Sequence, residues 1–159
     1  MSLDDWILAL HVLSAFALAG AIVLFWILVV ALRRTDLPEE TAGINRIAQA
    51  GTVAIAAGTL GTLVFGVWLA ISLDAYQLWD FWVIAALVLW AIATETGRRA
   101  GVEYQRAGDR ARELQAAGST GPSAELAALN QSSTGLLMHT VSTVAVALIL
   151  IDMIWKPGA

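Results

Sequence analysis

Four long apolar runs constrain this chain more than any motif does. Residues 6–32 contain one titratable side chain, His11, and residues 47–73 contain none. Residues 78–97 hold Asp80 and Glu95, and residues 134–155 hold His139 and Asp152. A helix rising 1.5 Å per residue crosses a hydrocarbon layer roughly 30 Å thick in about 20 apolar residues. Each run therefore predicts a spanning helix. The composition is 58% hydrophobic and 14% charged, whereas a soluble domain has about 45–50% apolar and about 25% charged residues. Too little polar surface remains to keep such a domain in water. The expected fold is all-α, a polytopic membrane four-helix bundle forming one domain over residues 1–159 with the lipid bilayer as its partner.

Several chemistries are excluded at once. The chain has no cysteine, which removes disulfides, thiolate zinc, iron–sulfur clusters and a cysteine nucleophile but leaves metals held by histidine and carboxylate. A net charge of −4 with scattered arginines is the wrong footprint for nucleic acid. The acidic start Met-Ser-Leu-Asp-Asp is unlike the basic start of a signal peptide, and the first run is too long for a signal's apolar core. It is expected to remain as helix one.

Arginine placement predicts orientation, since basic loops stay in the cytoplasm. Arg33, Arg34 and Arg46 lie between spans one and two, and Arg98, Arg99, Arg106, Arg110 and Arg112 between spans three and four. The other side carries only Lys156. Both termini and the loop from Asp74 to Asp80 are therefore predicted outside. Trp6, Tyr76, Trp79, Trp82 and Trp155 form an aromatic belt at that boundary, burying rings while keeping polar atoms wet. The net charge divides by side: eight arginines face eight carboxylates inside, so the whole −4 lies outside.

The cytoplasmic segments read as helical. Asp36-Leu37-Pro38-Glu39 has the spacing of a capping box with proline in the first turn, so helix two should begin near Leu37. The region 98–133 is a predicted cytoplasmic helical hairpin. Residues 98–117 are rich in helix formers and extend span three, Gly118 to Pro122 turns the chain, and Ser123 onward should start a helix running into span four. No internal repeat is visible. Ala50, Ala54, Gly58 and Thr62, with Gly51 and Gly61 beside them, predict a close-packing stripe on span two, and Ala15, Ala19 and Ala17, Ala21 offer partners on span one.

Intramembrane ionisable groups are costly and mark sites by default. His11 and Asp152 lie near the outer tryptophans, while Glu95 and His139 lie near the inner face. His139 and Asp152 are thirteen positions apart on one helix, about 20 Å, so one cofactor should not take both histidines. Each residue also has a plain structural explanation. His11 with Ser14 and His139 with Ser142 and Thr143 can hydrogen-bond between helices; Glu95 can pair with Arg98 or Arg99; Asp152 can pair with Lys156. Trp26, Trp68 and Trp90 read as packing. The Gly58-Thr-Leu-Gly61 stretch lacks the strand and lysine of a phosphate loop, and there is no nucleophile elbow. No catalytic residue is predicted.

The opening Leu10-His11-Val-Leu-Ser-Ala, the span ending Ala31-Leu-Arg-Arg34, Leu78-Trp-Asp80 and the closing Leu150-Ile-Asp-Met-Ile-Trp-Lys-Pro-Gly158 resemble a small four-span actinobacterial integral-membrane family of unknown function. That resemblance covers the whole length and implies a bacterial cytoplasmic (inner) membrane. More distantly, the early histidine is similar to that of copper-resistance D-like membrane proteins and HemJ-type protoporphyrinogen oxidases. Those place a tryptophan before glycines nine and ten residues on. Here Gly20 matches, Leu18 and Ala21 do not, and span three lacks the oxidase's lysine. The distant resemblance implies a b-type haem on His11 and does not carry the oxidase activity over.

The expected function is thus a binding or accessory membrane protein holding haem b or a metal through His11. His139 is a second cofactor candidate, Asp152 a second metal candidate, and Glu95, His139, Ser142 and Thr143 form the polar intramembrane set. Alternatives are proton or small-solute transport through the bundle, and a structural subunit or assembly factor, as a homo-oligomer or in a larger membrane complex.

Overall fold

A computed structural model describes residues 2–72 and 79–156; Asp74, Tyr76 and Leu78 lie outside these. The described chain folds into α1 (Leu3–Leu32), α2 (Pro38–Ser72), α3 (Phe81–Ala116), α4 (Ala124–Asn130) and α5 (Ser133–Trp155). Four stretches, with α4 and α5 counted as one, are long and apolar enough to cross a membrane. Ser2 caps α1: its hydroxyl accepts from the Asp5 amide at 3.2 Å, and its own amide donates to the Asp5 carboxylate at 2.7 Å. The acidic start is therefore a reciprocal capping box.

The helices pair as two antiparallel hairpins, α1 with α2 and α3 with α5. Close approach fixes the first. A methyl on Gly58 would stand 2.7 Å from the Leu18 backbone nitrogen, one on Gly61 would overlap Ser14, and one on Gly66 would stand 3.0 Å from the His11 ring. The expected stripe is corrected here. Ala50 and Ala54 are exposed, whereas Gly51 and Gly58 are buried. Steps of four residues advance about 400° and wind around a helix, while alternating steps of three and four stay on one seam. Gly51, Ile55, Gly58, Thr62 and Phe65 follow that alternation, as do His11, Ser14, Leu18, Ala21, Phe25 and Leu28 on α1.

In α3 the buried positions include Ala86, Ala93, Ala100 and Ala107, one per heptad. Their small side chains let α5 approach closely enough for Ser142 Oγ to donate to the Ala93 carbonyl at 2.8 Å. Ala93, Ala145 and Val146 form a small core, with Leu18, Ile22 and Leu89 packed on it.

The densest packing lies at the arginine end. At about 54 Å, α3 overshoots a hydrocarbon layer, and its extension packs on α4 and on the first turns of α2. Leu126, Asn130, Thr41 and Pro38 are fully buried. Asn130 donates to the Thr35 carbonyl and to the Thr41 hydroxyl, each at 2.9 Å. Two sequence readings are corrected at this end. α2 begins at Pro38, as expected, but Asp36 enters through its backbone carbonyl, which accepts from the Ser123 amide at 3.0 Å, rather than as a capping side chain. The helix after Ser123 does not run on into the last span, because it ends at Asn130 and Ser132 caps a new one by accepting from Gly135 N at 3.1 Å. The break turns Asn130 inward.

Tyr104 is tucked against Gly135 with its hydroxyl buried and without a hydrogen-bond partner. Burial pushes its pKa above 10.0, opposed by the charge of Arg33.

Two outcomes are expected from thermal unfolding in detergent. Gly58→Ala drives its methyl into the α1 backbone and should destabilise by about 1–3 kcal/mol, while Gly43→Ala, which meets nothing within 4 Å, should stabilise by about 0.5–1 kcal/mol. Stability should hold below about pH 10, where Tyr104 is neutral in both states, and fall as the pH rises through its higher folded value. Tyr104→Phe should flatten that fall.

Candidate functional site

The indole of Trp26 organises the polar intramembrane set. Its Nε1 donates to Thr143 Oγ1 at 2.9 Å, and Thr143 Oγ1 donates to the His139 carbonyl at 2.9 Å. The Trp26 and His139 rings lie 4.7 Å apart, tilted by 55°. His139 is only 9% exposed, and its Nε2 is buried without a hydrogen-bond partner. Ser142 turns the other way, to α3. His139, Ser142 and Thr143 thus share one turn of α5 and serve two different neighbours.

His11 sits elsewhere. Its ring rests on Gly66, and its Nδ1 is buried without a hydrogen-bond partner. Fifteen residues separate it from Trp26 on α1, about 22 Å, so it lies far from His139. Asp152 is thirteen residues beyond His139 on the antiparallel α5, about 20 Å, and returns to the level of His11. The two belong to different hairpins, His11 to α1 and α2 and Asp152 to α3 and α5. One Asp152 carboxylate oxygen is buried without a hydrogen-bond partner. The expected approach of Lys156 takes another form, because the Lys156 amide donates to the Asp152 carbonyl at 2.8 Å and its ammonium lies 5.6 Å from the centroid of the Trp82 ring. Among the described residues, no group of three or more histidine, aspartate and glutamate side chains is placed to hold a metal.

Glu95 accepts from Arg98 at 2.8 and 2.9 Å and from Arg99 at 2.7 Å. Its carboxylate raises the pKa of Arg98, so that guanidinium stays charged. Further along α3, Arg110 bridges Glu113 and Glu125, tying α3 to α4.

Sequence reasoning passed over Trp26 and Trp90 as partners. Trp90 Nε1 donates to the Thr59 carbonyl at 3.2 Å. Both indoles have apolar neighbours in sequence, and nothing local reveals which hydroxyl or carbonyl an indole will find across an interface. The two principal cavities touch neither histidine. One is a shallow face of α1 around Leu8, Val12 and Phe16, and the other a groove of about 250 Å³ between α3 and α5. No family model, curated protein or solved structure matches this chain.

Thr143→Val keeps the shape but leaves the Trp26 N–H unpaired, which should cost about 1–3 kcal/mol. Thr143→Ser should retain the bond and unfold close to wild type, as read by thermal unfolding in detergent.

Proposed function

We propose that this chain is a multi-pass protein of a bacterial inner membrane, both termini outside, acting as a binding or accessory component without chemistry of its own. One observation carries the reading: the indole and hydroxyl side chains of the spans are engaged in contacts between helices, while the buried atoms without partners, on His11, His139 and Asp152, do not converge on one site. Trp26 reaches Thr143, Trp90 reaches Thr59 and Ser142 reaches Ala93. In a bilayer such bonds hold helices together.

The haem reading of His11 meets a geometric obstacle. A porphyrin needs a slot beside its axial imidazole, and here the Cε1 and Nδ1 edge of the ring faces Gly66, with a methyl on that glycine only 3.0 Å from Cε1, so a macrocycle would have to approach from the side away from α2. A metal would find two donors at that level, His11 and Asp152, on helices seated against different neighbours, where stable sites take three or four.

The absorption spectrum of protein expressed with haem supplied decides between the readings. No Soret band is expected. A Soret band that His11→Ala abolishes would overturn the accessory reading in favour of a haem protein. Purification at native expression level should recover the chain with other membrane subunits, and recovery of the chain alone would count against the accessory role.

A further inference from the structure

The groove between α3 and α5 is apolar along its length, lined by Leu89, Ile92, Val141, Val144 and Leu148, with Thr140 towards the arginine end. Its stripe on α3 continues into charge. Arg99 follows Ile92 by seven residues, which returns it to the same face about 10 Å further along. Arginine side chains on a helix lean towards its N-terminus, and here both guanidiniums are drawn back one turn to Glu95, towards the groove. Glu95 engages Nε and Nη2 of Arg98 and Nε of Arg99. Both terminal nitrogens of Arg99 and one of Arg98 are left for another acceptor. The cluster carries one net positive charge, and the two arginine side chains are 63% and 60% exposed.

We propose that this groove binds an anionic phospholipid of the leaflet at the arginine end, one acyl chain lying between α3 and α5 and the phosphate held by Arg98 and Arg99, with Glu95 as the positioning residue. A phosphodiester carries one negative charge and matches the cluster's net charge. Its non-bridging oxygens suit the fork of guanidinium N–H groups. The five apolar side chains suit an acyl chain, and the guanidiniums stand at the end where a headgroup must be. The inference requires only that the helices lie in a bilayer, and it stands whether or not the accessory role does.

The test uses the full chain in phosphatidylcholine vesicles carrying spin-labelled phosphatidylglycerol or spin-labelled phosphatidylcholine, and reads the motionally restricted fraction of each. Wild type should prefer phosphatidylglycerol by roughly fivefold, the contribution expected of one net basic charge near the surface. The triple variant Glu95→Gln, Arg98→Gln, Arg99→Gln removes only exposed groups and leaves a neutral face. It should lose the preference while unfolding like wild type. Val144→Trp fills the groove from an exposed position and should lose it with the basic cluster intact. Arg34→Gln with Arg46→Gln removes two arginines of the same end and should retain it. Equal retention of both lipids by wild type would overturn the proposal. So would a loss in the Arg34 and Arg46 variant matching that of the triple variant, because a diffuse surface field would then suffice. Full competition by soluble glycerol phosphate would show a headgroup site without an acyl groove, and would also overturn it.

Discussion

Two indole hydrogen bonds join the hairpins of this molecule within its apolar helices. Trp26 of α1 donates to Thr143 of α5, and Trp90 of α3 donates to the Thr59 carbonyl of α2. Each bond leaves one hairpin and ends on the other. Lipid gives helices no hydrophobic reason to associate, so packing and hydrogen bonds must do it. Within a hairpin, glycines and alanines bring backbones close. Between hairpins the approach is looser, and a long side chain with one donor bridges it. Thr59 adjoins Gly58, which packs on Leu18, and Trp26 lies eight residues further along α1. The ties are therefore about 12 Å apart along the bundle, enough to resist both sliding and splaying.

This division of labour accounts for the histidines. His11 lies inside one hairpin, wedged at Gly66, while His139 lies at the junction of two, under Trp26. They belong to different interfaces at different depths. A ligand bridging them would have to cross most of the bundle through the small core of Ala93, Ala145 and Val146. The depth separation was legible in the sequence, because the rise per residue is fixed and the aromatic and arginine markers set the zero. The identity of each histidine's neighbour was not, since it depends on the rotation of one helix against another.

Rotation is what the sequence conceals generally. The four spans, the overshoot of α3 and the turn after it follow from apolar run length and helix-former content, which are one-dimensional quantities. The facing seam of α2 does not. Ala50, Ala54, Gly58 and Thr62 look like an interface when read in steps of four, yet the supercoiled seam selects Gly51 and Gly58 and leaves Ala50 and Ala54 exposed. Asn130 shows the same difficulty at the arginine end. In sequence it is one polar residue among helix formers, and its worth comes from the Thr35 carbonyl and Thr41 hydroxyl, far away along the chain. Burial there makes those bonds obligatory, since an unpaired amide in a packed interior is expensive.

The contrast between the two ends follows from what surrounds each. Within the apolar windows of the helices only 17–22% of residues are buried, which leaves an apolar surface of the kind a bilayer would cover. Where a helix extends into water, apolar burial has its driving force. That is where Ala107, Ala111, Leu126 and Thr41 reach 0% exposure. The loop joining α1 to α2 is held there by Asn130, by Ser123 through the Asp36 carbonyl, and by Arg33 donating to the Ser132 carbonyl at 3.3 Å. The cap therefore fastens both hairpins to each other outside the layer in which they are weakest. A bundle clamped at one end and tied by two indoles in its interior has His11 and Asp152 together at the opposite end, beyond both ties.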